Sequence, residues 1–222
     1  MIAQDEIKKA KHIVIEYNSI YFAQASALYS YILTLHKKVS LFSEDESFCR
    51  YAFLPWYEKS RSKEPSSADL KISANIEIFE LYSFFKKRDI HINKKMATAL
   101  YAGFLERYEN FLSRECDGTI FAAVSELIAK GAECRLCIDE LIQKVPLRIF
   151  RLKSIVYRQL LLKKNAELVY VSLDEQDFIT TGAKWNDLNL ISKELLNLAN
   201  VKEVLIIKSD EVNKIINLKK EV

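Results

Sequence analysis

The sequence predicts an α/β protein, and three observations carry that prediction. Short β-branched runs alternate with segments of helical period, the alternation occurs over 13–42 and again over 166–208, and a basic helix-forming stretch lies between the two blocks. An N-terminal βαβ-based domain with a helical lower half, a linker helix and a smaller C-terminal α/β domain are therefore expected.

The elements follow in order. Residues 13–16 (IVIE) and 39–42 (VSLF) are strand-like, and SIYFAQASALYSYILTLHKK between them has helical period. Strand, crossover helix and parallel strand make a βαβ unit, placing the 17–22 turn at the carboxyl end of the first strand, the edge where open α/β sheets bind ligands. A charged, serine-rich connection, SEDESFCRYAFLPWYEKSRSKEPSSA, leads to a third strand, DLKISA, and helices are expected over 76–88 and 94–112. Asp117 is suited to cap a helix that Gly131 stops, and a shorter helix spans 135–144. Pro146 opens a helix running to 165. AELVYVSL is then a strand, NDLNLISKELLNLAN a helix and VKEVLIIK a strand, with the tail SDEVNKIINLKKEV a short helix at best. The expected domains are 1–145, a linker helix at 146–165, and 166–222.

Half of the 222 residues are hydrophobic, enough for a sizeable core, and the formal charge of +3 is too near balance for a general nucleic-acid or membrane binder. No apolar run approaches the roughly 18 residues of a membrane span, and MIAQDEIKKAKH is unlike a signal peptide, so a cytoplasmic protein without a membrane partner is expected. Cys134 and Cys137 form a single C-x-x-C inside a helix, while Cys49 and Cys116 stand alone. A tetrahedral metal site needs four convergent ligands, so these cysteines read as small hydrophobes.

In MATALYAGFLERYENF, residues 96–111, Met96, Ala99, Leu100, Phe104, Tyr108 and Phe111 share one helical face, and Arg107 falls on that same face. This stretch, with GTIFAAVSELIAKGAE after it, resembles the A-T-A-L-Y-x-G-I-x-x-D-T-G-x-F helix and the leucine-rich helix of the DHH phosphoesterases, which include RecJ-type exonucleases and NrnA-type hydrolases of nanoRNA and pAp. IVIEYNSIYFAQASALYSYILTLHKKVSLF is similar to the family's first strand, metal loop, helix and second strand. The segment from AELVYVSL onward resembles the opening of its DHH-associated domain, here a truncated one.

The resemblance implies hydrolysis with paired divalent ions, usually manganese, held by aspartates and histidines. Two close cations need several carboxylates to ligate them and to offset their repulsion. In the family's H-x-x-P-D-x-D-x-x-G-S, aligned on Ser26, Glu16 stands at the histidine, Ser19 at the proline, Ile20 and Phe22 at the aspartates, and Ala25 at the glycine. No aspartate occurs between Asp5 and Asp45, and His12, His36 and His91 include no adjacent pair. Asp89 and His91 are nearest in type to the D-H-H triplet but sit in a turn between helices. The last family aspartate falls on Arg107. At an effective dielectric of about 20 and about 4 Å, a unit positive charge beside a divalent ion costs roughly 8 kcal/mol. The family's glycine-rich G-G-G-H phosphate cradle is also expected to be absent, since the glycines at 103, 118, 131 and 182 form no such motif.

Other features carry alternatives. Arg148, Arg151 and Arg158 lie within about 80° on the 146–165 helix, a stripe suited to phosphates or a partner's carboxylates and equally a solvated face. Arg50, Tyr51, Phe53, Trp56, Tyr57, Lys59, Arg61 and Lys63 interleave as base-stacking loops do, or pack on the core. Tyr17, Asn18, Ser19, Tyr21 and Gln24 supply neutral hydrogen-bonding groups where the metal loop would be. The reading is a degenerate DHH-like protein without a cofactor and without metal-dependent hydrolase activity, acting as a binding or scaffold protein whose candidate partners are a protein, a nucleotide or a short RNA. Its rivals are a manganese phosphoesterase with rearranged ligands and a metal-free nucleotide or RNA binder.

Overall fold

The computed structural model describes residues 4–44, 49–211 and 214–220, with Gln4 and Cys49 described by backbone alone. Asp45 and the Cys49 side chain therefore lie outside the described residues. The chain divides into two compact units, Met1–Lys144 and Val145–Val222.

The first unit contains α1 (Gln4–Lys9), β1 (His12–Glu16), α2 (Phe22–Thr34), β2 (Lys38–Phe42), β3 (Ser60–Arg61), β4 (Leu70–Ser73), α3 (Ile78–Lys87), α4 (Lys94–Arg107), α5 (Gly118–Ala129) and α6 (Cys134–Ile138), the last continued by a π-helical turn, Asp139–Gln143. Its sheet is parallel with the order β3-β2-β1-β4, so β1 sits inside it, in register from His12 opposite Lys38 to Glu16 opposite Phe42. Ile13, Val14 and Ile15 are all fully buried, which is why IVIE reads as an unbroken apolar run rather than an alternating one.

Two helices form the heart of this unit. Every α2 residue from Phe22 to Ile32 is buried, and so is every α4 residue from Met96 to Leu105. The expected single apolar face of α4 is thus a helix covered on all sides. Ala97, Thr98, Ala99 and Ala102 allow this because small side chains admit close neighbours. Gly103 marks the tightest approach: a Cβ there would lie 2.5 Å from Ile78 Cδ1 and 3.4 Å from the Ala23 Cβ. Asn93 caps α4 by accepting from the Met96 amide at 3.0 Å. The helix ends at Arg107 and not at 112, because Glu109, Asn110 and Phe111 take positive φ values of 49°, 61° and 64°. Asp117 caps α5 as expected, accepting from Thr119 and Ile120, and Gly131 follows it at φ +87°.

The second unit contains α7 (Leu147–Gln159), β5 (Leu161–Lys163), β6 (Leu168–Leu173), α8 (Glu175–Thr181), α9 (Leu188–Leu196), β7 (Glu203–Lys208) and β8 (Ile215–Lys219), with strand order β5-β6-β7-β8. β6 and β7 are parallel, and both edge strands are antiparallel. Three local expectations change. The basic helix stops at Gln159, and 161–163 pairs with β6. The tail is no helix over 215–219 but a strand that extends the exposed edge of β7, with the Lys208 amide donating to the Lys214 carbonyl at the hairpin's base. Helix α8, absent from the sequence reading, is fixed by a reciprocal cap between Asp174 and Asp177 and closed by Gly182 at φ +67°. Ile149, Leu152 and Val156 of α7 belong to this unit's core.

Candidate functional site

The carboxyl edge of the first sheet is where the fold directs attention, and its two halves are built differently. On the β1–β2–β3 side the chain leaves β1 at Glu16 and enters a 3-10 turn, Ser19–Tyr21. Tyr17 is buried, its amide donating to the Phe42 carbonyl at 3.1 Å and its hydroxyl hydrogen-bonded to Ser60 Oγ. Phe22 is only 2% exposed and meets three rings: Tyr17 edge-on at 5.4 Å, Tyr57 edge-on at 5.4 Å and Tyr51 at 6.0 Å. The Tyr51 hydroxyl donates to Glu106 Oε2 at 2.6 Å, and Arg50 reaches Glu106 Oε1 at 3.0 Å and the Leu141 carbonyl at 3.1 Å. Burial, reinforced by the Glu106 carboxylate, pushes the Tyr51 phenol well above its ordinary range. The interleaved loop thus turns its aromatics inward: Trp56 donates to Ser30 Oγ at 2.8 Å with Lys95 over its ring, and Phe53, Trp56 and Tyr57 pack on the core.

The remaining turn residues are scattered. Ile20 is 65% exposed, and Asn18 is exposed with its amide donating to Asn75 Oδ1 at 2.9 Å. Ser19 is half-buried in the 3-10 turn. Glu16 does carry a carboxylate, but Lys71 holds it at 3.0 Å while also pairing with Glu64 at 3.2 Å. Ser26 is buried and donates to the Pro55 carbonyl.

Arg107 differs from its expected place among the core residues. It is exposed at the carboxyl end of α4, where the helix dipole favours a cation, and bridges two carboxylates, Glu77 Oε2 and Glu115 Oε2, each at 2.8 Å. Its guanidinium also lies 5.3 Å from the Tyr108 ring centroid. Among the described residues no group of three or more His, Cys, Asp or Glu side chains converges in a way that could hold a metal ion. Of the four positions considered as metal ligands, Ile20 and Phe22 have no donor, Arg107 is a cation, and Glu16 is engaged by Lys71. This donor set does not fit a pair of divalent ions.

On the β1–β4 side the edge is open. A cleft of about 410 Å³ is lined by Tyr21, Asn75, Ile76, Glu77, Glu80, Leu81 and Phe84. Gln24, 6% exposed, donates from Nε2 to the Ile76 carbonyl at 3.0 Å, and its Oε1 is buried without a hydrogen-bond partner. The sequence reading singled out Tyr21 and Gln24 but missed Asn75, Glu77 and Glu80. The signal was available, since N-I-E directly after the third strand places an amide and a carboxylate at the ligand-binding edge.

The other candidates lie elsewhere. Arg148 is held by Asp187 at 3.0 Å, whereas Arg151 and Arg158 are exposed. The Tyr157 hydroxyl donates to Glu194 at 2.7 Å, and Trp185 packs on Phe178. Cys137 is fully buried with its thiol pushed up to about 12 by burial, and burial raises Cys134 too, so both thiols stay protonated and pack as apolar groups. His12 is buried at the amino end of β1, hydrogen-bonded to Ser40 and Ser67. Asp89 and His91 remain in the α3–α4 turn.

No protein-family profile matches the chain, and no curated protein matches it in sequence. Solved structures do share its fold. An exopolyphosphatase-related protein from Bacteroides fragilis aligns over 97% of this chain and 82% of its own with a TM-score of 0.74 at 14% identity. A Methanococcus jannaschii protein described as a family II inorganic pyrophosphatase aligns over 94% of this chain and 87% of its own at 8% identity, with a TM-score of 0.34 that carries no structural argument. The α/β fold, with its parallel sheet and helices, is thus shared with the exopolyphosphatase-related protein. Among the described residues, no helix is long and apolar enough to cross a membrane.

Proposed function

We propose that this chain is a degenerate DHH-type phosphoesterase that does not hydrolyse phosphoesters with paired metal ions and acts as a binding or scaffold protein. The observation that carries it is the replacement of metal-ligand positions by Phe22, packed among Tyr17, Tyr51 and Tyr57, and by Arg107, clamped between Glu77 and Glu115. A cation already stands at position 107 and engages both nearby carboxylates. The fold shared with the exopolyphosphatase-related protein supports the ancestry. So does the backbone after α4: counting through G-I-x-x-D-T-G from Gly103 sets the family's last glycine on Glu109, which has φ +49°. The left-handed conformation is the one to which a glycine at that position is best suited.

The decisive assay incubates pure protein with manganese and either a dinucleotide or pAp. No chelator-sensitive turnover is expected. Manganese-dependent turnover, together with two bound metal ions per chain in a metal analysis, overturns the proposal and favours the hydrolase with rearranged ligands. Nucleotide or short-RNA binding through Arg151 and Arg158 is the remaining reading, and it requires steep weakening with salt.

A further inference from the structure

We propose that the cleft between the β1–α2 and β4–α3 turns binds a small organic cation, an ammonium group on an apolar stem, and rejects phosphate. The inference deepens the binding role proposed above and rests on it. The cleft's position comes from topology. The chain passes from β1 through α2 to β2 on one side, while β4 pairs with β1 on the other, so the carboxyl ends of β1 and β4 flank a switch point of the sheet. Its volume, about 410 Å³, suits a small molecule.

The chemistry of the lining selects the charge. Tyr21, Ile76, Leu81 and Phe84 provide apolar and aromatic walls, and the polar lining consists of Asn75, Glu77 and Glu80, with no basic residue. Glu77 is half-satisfied by Arg107 outside the lining, whereas Glu80 is exposed and has no ion-pair partner among the described residues. Behind the Ile76 wall, Gln24 presents a buried oxygen that accepts nothing. The unpaired Glu80 carboxylate suits a cationic donor, and the aromatic and aliphatic side chains of the lining suit its apolar stem.

One effect opposes this. The first amides of α3 have no side-chain cap, and a helix amino terminus carries about half a positive charge, which attracts anions. With Glu77 paired to Arg107, Glu80 is the uncompensated charge of this turn, and its full negative charge still exceeds that half-charge, so an incoming phosphate meets net repulsion.

The test is calorimetric titration of the full chain with phenethylamine, 2-phenylethanol, phenylacetate and inorganic phosphate. Saturable phenethylamine binding, at least tenfold tighter than that of its neutral and anionic counterparts, is expected. Glu80→Gln, which disturbs no described ion pair, should weaken the amine at least fivefold with an unchanged melting temperature, and added salt should weaken it further. No saturable amine binding, equal affinity for 2-phenylethanol, phosphate binding in the cleft, or an unaffected Glu80→Gln variant would each overturn the proposal. These results are independent of the hydrolysis assay: failure of amine binding leaves the loss of catalysis standing, and manganese-dependent turnover refutes that loss whatever the titration gives.

Discussion

The two halves of the first sheet's carboxyl edge are built in opposite ways. On the β1–β2–β3 side, rings have filled the space: Phe22, Tyr17, Tyr51 and Tyr57 make a small aromatic core whose polar tips end on Ser60 and Glu106. On the β1–β4 side, the space stays open and its carboxylates face a cleft. One edge of a sheet need not be built uniformly. One half is packed into the core, and the other keeps a concavity.

That contrast can be broken most forcefully by Phe22→Asp, which places an acidic ligand type in the filled half. Truncating a buried phenylalanine costs about 3–5 kcal/mol, and burying an unpaired carboxylate adds to it. Urea unfolding should show a loss of more than about 4 kcal/mol, not recovered by manganese; rescue by metal would mean that the filled half can still ligate an ion.

Gly103→Ala tests the packing on which both halves rest. The new methyl would drive into Ile78, an overpacking cost of about 1–3 kcal/mol, partly offset by the roughly 1 kcal/mol that alanine gains over glycine in a helix. A net loss of about 1 kcal/mol in the same assay is expected, and a net gain would mean that Ile78 repacks freely.

Arg107→Ala acts on the open half. Both of its ion pairs are partly exposed, so after solvent screening their joint loss should cost about 0.5–1 kcal/mol, shrinking at high salt. A loss above 2 kcal/mol would mark Arg107 as a structural keystone instead.

Glu109→Gly should raise stability by about 0.5 kcal/mol by relieving a left-handed residue, with a small rise in melting temperature as the readout. No rise would mean that contacts of the Glu109 side chain offset the backbone strain.

Much of this was legible in the residues, for identifiable reasons. The IVIE strand, the Asp117 cap and the helix that Gly131 closes are local signals, read at short range and matched by the structure. The β8 strand was not legible, because INLK becomes a strand only when β7 offers it an edge. Helix α8 was legible in principle through Asp174, Asp177 and Gly182, a signature that was passed over. At the candidate site, the lack of acids around 20 and 22 was plain, but the partners of Arg107 were not. Glu77 and Glu115 lie 30 residues before it and 8 after it, and only the α3 and α4 packing brings the first of them within reach.

The complete enclosure of α2 has a consequence for biosynthesis. A helix buried around its whole circumference, Gln24, Ser26 and Ser30 included, cannot be sheltered by the strands that flank it alone, and its principal cover, α4, is encoded some seventy residues downstream. As the polypeptide leaves the ribosome, β1, α2 and β2 emerge long before Lys94–Arg107 arrives to seal them. Until then the apolar side chains of α2 lack their cover, the kind of transient exposure that makes an incomplete chain prone to aggregate.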